Sequence, residues 1–351
     1  MKQCNHWISR ITRKLTRNSD FRKQTQTKFE SVAFRSTDEP LINQNFNDLA
    51  YCRCRKNIYI MLCELHDVFG SNFLLTWALL SLLGIGAVAF FSGSVFLAYY
   101  AWPNYDQWRR KINPEYPPAE KVRSEVLQTL KGLAVATLCP ALSLYLAQHG
   151  KSKAFCGVTE QYGLVYNLVS FLVIWVASDF YEFFYHYLGH KFSLLWSQHK
   201  AHHHFFNPSP FAVIADDAMD QFVRSAPLLL FPLLVPVNID ILFLTFAFFF
   251  YGYGTVLHWG FESEFLSAHN QYINSSYEHY YHHAFSIGGK PIYTGFFFKF
   301  WDQLFGSVPA ADTKCVCSRC ELLKGNRSEK KWLEVKKPNY AVLLTPSFWI
   351  G

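Results

Sequence analysis

The stretch Asp179–His204, DFYEFFYHYLGHKFSLLWSQHKAHHH, decides how this chain is read. It continues an apolar run and carries two histidine clusters. His186 and His190 are four apart, and His199, His202 and His203 stand at i, i+3 and i+4, so on a helix each set presents its imidazoles on one face. His279, His282 and His283 repeat the HxxHH spacing further on, and His258 stands alone between. An isolated histidine is ordinarily a solvated side chain, and one HxxHH is unremarkable. Three clusters within about a hundred residues, with only His6, His66 and His149 outside that span, are not. Imidazole suits iron, zinc, copper or nickel, and an ordinary zinc site takes four ligands. Nine imidazoles therefore point to two metals.

Working outward, the 351 residues are half hydrophobic and 18% aromatic. Apolar runs near the roughly 20 residues needed to cross a bilayer predict an all-α integral membrane protein, a transmembrane bundle with a histidine-rich helical cap. The formal charge of +7 gathers in the first sixty residues and in loops, and no base-reading motif accompanies it. That distribution fits anionic headgroups and argues against a nucleic-acid partner. Nine scattered cysteines argue against a disulfide framework and for a reducing, cytosol-facing setting. No apolar signal segment is expected near the N-terminus.

Four regions follow from composition. Residues 1–56 read as a disordered basic arm closed by Cys52 and Cys54. Residues 57–162 read as an N-terminal membrane region, opened by an amphipathic lead-in at 57–68. Within it, the run 72–102 contains Gly84, Gly86 and Ser92-Gly93-Ser94. Arg109, Arg110, Lys111, Lys121 and Arg123 follow the run and the basic arm precedes it, so the positive-inside tendency favours a re-entrant or hairpin arrangement over a single crossing. Leu127–Ala147 is a second span, with a tolerated kink at Pro140. Residues 163–307 form the candidate catalytic region. Its first span, Gly163–Tyr185, ends in a stripe of Asp179, Glu182, His186 and His190, which are too costly in lipid to lack a protein-facing role. Phe222–Leu257 splits into two apolar halves at Asn238–Asp240, and only if these cross and return do His258 and the third cluster meet the first two. Residues 308–351 read as a charged tail. Its Cys315, Cys317 and Cys320 lack a fourth ligand and are read as reduced thiols, and the closing VLLTPSFWI is too short to span.

HYLGH, HKAHH and HYYHH, followed by FWDQLFG at Phe300–Gly306, resemble the fatty acid hydroxylase superfamily. Asn207-Pro208-Ser209-Pro210-Phe211 and Met219-Asp220 are most similar to the sterol C5-desaturase branch. The chain departs from the common pattern at Tyr187, Ala201, Glu278 and Gln303 without losing a histidine. The resemblance implies two irons bound by His186, His190, His199, His202, His203, His258, His279, His282 and His283. Asp179, Glu182 and Asp302 would steady these rings through their second nitrogen. His204 and His269 are extra, with His269 the stronger candidate for a supporting role.

The resemblance further implies an endoplasmic reticulum membrane enzyme with its metals facing the cytosol. It would use O2 and take electrons from NAD(P)H through cytochrome b5 and its reductase. Its substrate would be a membrane lipid or sterol, desaturated at C5. Neither a dinucleotide fingerprint nor a His-Pro-Gly-Gly heme segment is present, so the donor is external. A C4-methyl sterol oxidase or a fatty acid hydroxylase is the near alternative. A non-catalytic membrane metal-binding protein is the alternative of another class.

Overall fold

The computed structural model describes residues 72–310 and 313–350. The expected basic arm, Cys52, Cys54 and the 57–68 lead-in lie outside the described residues. The helix α1 (Phe73–Phe96) runs on into a wider turn at Leu97–Ala101. After the single turn α2 (Tyr105–Trp108), α3 (Ala119–Ala136) and α4 (Leu138–Gln148) form one rod bent at Thr137. The two-residue strand β1 (Ala154–Phe155) precedes α5 (Leu164–Lys191) and α6 (Ser193–His199). Then come α7 (Ala218–Arg224), α8 (Pro227–Leu234), β2 (Val237–Asn238) and α9 (Ile239–Thr245). A widened stretch, Phe246–Gly252, joins α9 to α10 (Tyr253–Leu257). The chain ends with α11 (Ser276–Phe285), α12 (Phe300–Phe305), α13 (Ser318–Leu323), α14 (Glu329–Glu334) and α15 (Pro346–Ile350).

Among the described residues, four helical stretches are long and apolar enough to cross a membrane: Phe73–Ala101, Ala119–Gln148, Leu164–Lys191 and Ile239–Leu257. Hydrocarbon offers backbone groups no partner, so such runs close their hydrogen bonds internally as helix. Leu164, Val165, Leu168, Val169, Leu172 and Val173 of α5 are all exposed. A stripe of that size is untenable in water and ordinary in lipid. The protein is an all-α integral membrane protein.

The two ends of the bundle are defined by different contacts. At one end β1 pairs in parallel with β2. There Asn238 donates its side-chain amide to Gly157 O and to Asn167 Oδ1, at 3.0 and 2.9 Å, beside the start of α5. At the other end, beyond α10, His258 Nε2 lies 3.4 Å from His202 Nε2. Residues 218–238 thus carry the chain away from the histidines and residues 239–257 bring it back, as the cross-and-return expectation required. The outward leg is no single span. It consists of two short helices, the second opened by Pro227 and interrupted by Pro232, and an extended segment.

The run 72–102 is not a hairpin. It is one helix whose Phe73 packs edge-on to Tyr145, near the end of α4, while Phe96 meets Phe211 and Tyr340 at the histidine end. Gly84 does not break it. A Cβ there would stand 2.8 Å from Leu133 Cδ1, so glycine lets α1 and α3 approach closely, the use small residues serve between helices in membranes. The bend expected at Pro140 falls at Thr137, whose hydroxyl donates to Leu133 O at 3.0 Å. Cys156, just past β1, is disulfide-bonded, so the expectation of free thiols fails there. Cys139, Cys315, Cys317 and Cys320 are free.

Candidate metal centre

Four pieces of chain deliver the nine imidazoles. The last turns of α5 carry His186 and His190. The end of α6 and the tight turn His202–His204 carry His199, His202 and His203. His258 caps α10, and α11 carries His279, His282 and His283. All but His203 are buried.

The rings sort into two groups, each with its ligand nitrogens within 4.8 Å of one another. One holds His186, His190, His199, His203 and His282; the other holds His202, His258, His279 and His283. The two HxxHH segments are split reciprocally. His199 and His203, at i and i+4, enter the first group while His202, at i+3, crosses to the second. His279 and His283 enter the second while His282 crosses to the first. Successive positions on a helix are turned by about 100°, so i+3 and i+4 point to opposite sides of the i position. One segment can therefore face two centres.

The donor set fits metal ions. Facing Nε2 atoms stand 3.2 Å apart for His199 and His203, 2.9 Å for His258 and His279, and 3.1 Å for His279 and His283. Two nitrogens sharing an ion at about 2.0–2.1 Å and subtending 90–110° would be about 2.8–3.4 Å apart. The Nε2 atoms of His186, His190 and His282 are buried with no hydrogen-bond partner among the described residues, a costly state for polar atoms unless something else satisfies them.

The opposite ring nitrogens are held from outside. His186 Nδ1 meets Thr294 O at 2.9 Å, His258 Nδ1 meets Gly254 O at 2.8 Å, and His282 Nδ1 meets Ile292 O at 2.7 Å. A carbonyl accepts only from N–H, so each contact puts the proton on Nδ1 and leaves the Nε2 lone pair directed inward, the usual arrangement behind a metal-bound imidazole. Burial, then the charges of neighbouring rings, hold His202, His203, His279, His282 and His283 well below the ordinary histidine range. Burial also lowers His258 to about 4. Neutral rings with free lone pairs are the form that binds metal.

Two carboxylates that the sequence reading does not single out for this task stand behind the rings. Asp220 Oδ2 accepts from His199 Nδ1 at 3.0 Å. Asp216 Oδ1 lies 3.1 Å from His202 Nδ1, a close contact without hydrogen-bond alignment. One therefore backs each group. Their four-residue spacing just after the second cluster is the signal that could have found them.

The carboxylates expected in that role have other partners. Asp179 accepts from Phe297 N at 2.7 Å, Phe298 N at 3.3 Å and Trp301 Nε1 at 2.8 Å. Asp302 accepts from Thr294 N and Gly295 N, both at 2.9 Å, and from Ser307 Oγ at 2.6 Å. Together they clamp the 294–298 segment, so their effect on His186 is indirect, through Thr294 O. Gly306 closes α12 in the left-handed conformation, φ 69°, which explains the glycine of the WDQLFG segment. Glu182 pairs with Arg224, whose Nη2 lies 3.4 Å from His199 Nδ1. Glu278, one of the departures, forms a capping box with Ser275 and pairs with Lys299 at 2.7 Å. His204 is exposed beside Lys121, and His269 lies with Cys315, Cys317 and Cys320, apart from the nine rings.

A cavity of about 450 Å³ leads to the rings, within the usual range for small-molecule sites. Its walls are Leu80, Leu83 and Ala87 of α1, Leu133 and Ala136 of α3, and Phe243, Ala247, Phe250 and Tyr251. At its inner end are His186, His202, His258 and His279. Leu83 and Leu244, both on its wall, are about half exposed on helices of membrane-crossing length. The cavity is therefore reached from the lipid-facing side.

The region that carries these rings is similar to known proteins. Residues 171–307 match the fatty acid hydroxylase family model. The chain is 27% identical over 256 residues to a Delta(7)-sterol 5(6)-desaturase of Aspergillus fumigatus, covering 72% of this chain and 64% of that protein. It is 29% identical over 187 residues to a Delta(7)-sterol 5(6)-desaturase of Schizosaccharomyces pombe, covering 53% and 58%. Human lathosterol oxidase is 26% identical over 231 residues, covering 66% and 74%. The chain thus spans less than two thirds of the first two of these relatives. No solved structure matches.

Proposed function

We propose that this chain, whose residues 171–307 match the fatty acid hydroxylase family model, is a membrane-bound, O2-dependent oxidoreductase that holds two irons among its nine imidazoles and desaturates a sterol at C5. One observation carries the reading: two groups of neutral imidazoles meet the inner end of an apolar cavity reached from lipid. The names of the relatives support a sterol as substrate.

The irons, when bound, supply the oxygen activation that acids, bases and nucleophilic side chains cannot bring to an unactivated C–H bond. The chain's own residues do the rest. Leu80, Ala87, Leu133 and Phe250 present an apolar wall that draws a lipid ring system out of the bilayer and leaves its rigid body little freedom. That orientation sets which carbon stands near the rings. Asp220 and the carbonyls of Gly254, Ile292 and Thr294 hold their rings in one tautomer, and the Asp216 charge stands beside His202. Burial of the imidazoles keeps bulk water from the reacting carbon.

Residues 163–307 are the catalytic region in this reading, and the enzyme sits in the endoplasmic reticulum membrane with its histidines toward the cytosol. Electrons come from cytochrome b5 and its reductase. The exposed Lys191 and Lys200, with the half-buried Lys121, at the histidine end suit an acidic donor.

Expression in cells lacking a sterol C5-desaturase, with lipid profiling, tests the proposal. The expected result is restored 5,7-diene sterols that vanish in His202→Ala. Unchanged sterols alongside newly hydroxylated lipids would overturn the desaturase reading, and no lipid change from a metal-loaded protein would favour metal binding without oxygen chemistry.

A further inference from the structure

The structure assigns a second, separate metal site: we propose that Cys315, Cys317, Cys320 and His269 bind one structural zinc ion. In sequence C-x-C-x-x-C supplies three of the four ligands a structural zinc takes, because the fourth donor lies in a distant loop. The fold supplies that donor. The four ligand atoms lie within 4.8 Å of one another, with Cys317 Sγ 3.6 Å and Cys320 Sγ 3.8 Å from His269 Nε2. A tetrahedral zinc with bonds of about 2.3 Å to sulfur and 2.0–2.1 Å to nitrogen separates such atoms by about 3.5–3.8 Å.

The local backbone is arranged for thiolates. Cys317 N points at Cys315 Sγ at 3.5 Å, and Cys320 N at Cys317 Sγ at 3.4 Å. Cys317 also caps the start of α13. Three thiolates, one neutral imidazole and a divalent ion sum to one negative charge, and Lys324 stands beside the cluster, donating to Cys315 O at 3.1 Å. Sulfur ligands select zinc over the harder cations. A purely apolar thiol cluster would have no reason to draw in an exposed histidine, and none of the three sulfurs is engaged in a disulfide.

Its position suggests what the zinc does. Cys317 packs with Tyr277, and Val316 N lies 3.4 Å from the Tyr277 hydroxyl. Tyr277 is on the outer side of α11, the helix whose inner side carries His279, His282 and His283. Lys299 Nζ donates to Ala268 O and Asn270 O, either side of His269, and to Glu278 of the same helix. Ser318 N bonds Glu262 Oε2 at 2.6 Å. The zinc would fasten the C-terminal segment and the 262–270 loop to the back of α11.

Cobalt(II) is the discriminating probe, because only thiolate ligation gives an intense sulfur-to-cobalt charge-transfer band and the nine imidazoles cannot. The reduced full-length protein, purified in detergent and titrated with Co2+, is expected to develop that band with tetrahedral ligand-field absorption, saturating at one equivalent. Equimolar Zn2+ should abolish it. The band should be lost in Cys317→Ser, shifted or weakened in His269→Ala and unchanged in His202→Ala. A second measurement does not depend on any variant folding: in the wild-type protein with zinc, Cys315, Cys317 and Cys320 should resist alkylation as read by mass spectrometry, and become labelled once a chelator is added. Absence of the charge-transfer band, alkylation indifferent to the chelator, or a disulfide between any two of the three would overturn the site.

Discussion

The two groups of imidazoles are built from the same kinds of segment but are not copies. The first has five rings, two pairs at i,i+4 from α5 and α6 plus His282 from α11. The second has four, with a single pair, His279 and His283, joined by His202 and by His258 from the end of α10. Each is completed by one ring borrowed from the segment that mainly serves the other. His202 and His282 are thus the residues through which each centre depends on its neighbour's helix. The difference shows that HxxHH serves as a bridge between two groups of rings, with its middle histidine turned to the neighbouring group.

The sharpest way to break the comparison is to remove the borrowed rings. His202→Ala and His282→Ala are each expected to abolish product formation, a fall beyond about 100-fold. Iron analysis of the purified variants should show His202→Ala depleting the four-ring group and His282→Ala the five-ring group, each nearer one ion per chain than two. If both variants retain full iron, the grouping is wrong.

Next come the carboxylates. Asp220→Asn and Asp216→Asn keep size but lose charge behind His199 and His202, and each should cost about 10- to 100-fold in metal affinity or activity. Asp179→Asn sharpens the contrast. It weakens three N–H contacts to the 294–298 segment, so its main effect should be on thermal stability, about 1–3 kcal/mol, with iron content largely kept.

Acidification separates the folded rings from free histidine. An unfolded chain protonates its histidines from about pH 6.5 downward, whereas the buried His258 ring does so only near 4. The unfolded state therefore takes up more protons in that window, and stability present above about 6.5 is lost as pH falls toward 4. Melting of the metal-free protein in detergent should shift down across that range, and a flat profile would contradict ring burial. The smallest effect is at the far side of the cavity. Gly84→Ala forces a methyl against the Leu133 terminus, and because that side chain can turn away the cost should stay near 1–2 kcal/mol, read as a modest drop in melting temperature.

The nine rings are legible in the sequence because histidine is scarce here and its spacing repeats, and the spans because long apolar runs have few alternatives in lipid. Asp216 and Asp220 are harder to see. Carboxylates are common, and nothing local distinguishes one that meets a ring from Asp179 or Asp302, which meet backbone amides 118 and 8 residues away. The 72–102 run misleads because basic residues flank it on both sides and its glycines read as breaks, whereas it is one helix in which Gly84 marks close approach to Leu133. His269 could not be joined to the cysteines at all, because only the fold of the 262–270 loop brings it to them.

The cavity reaches the basin from one flank. Three of the four imidazoles at its inner end, His202, His258 and His279, belong to the four-ring group, and only His186 belongs to the other. A molecule threaded in from the bilayer would therefore confront one ion nearly head-on and see the second mainly from behind its neighbour. Whichever bond is cut, the pair is expected to divide the labour unequally.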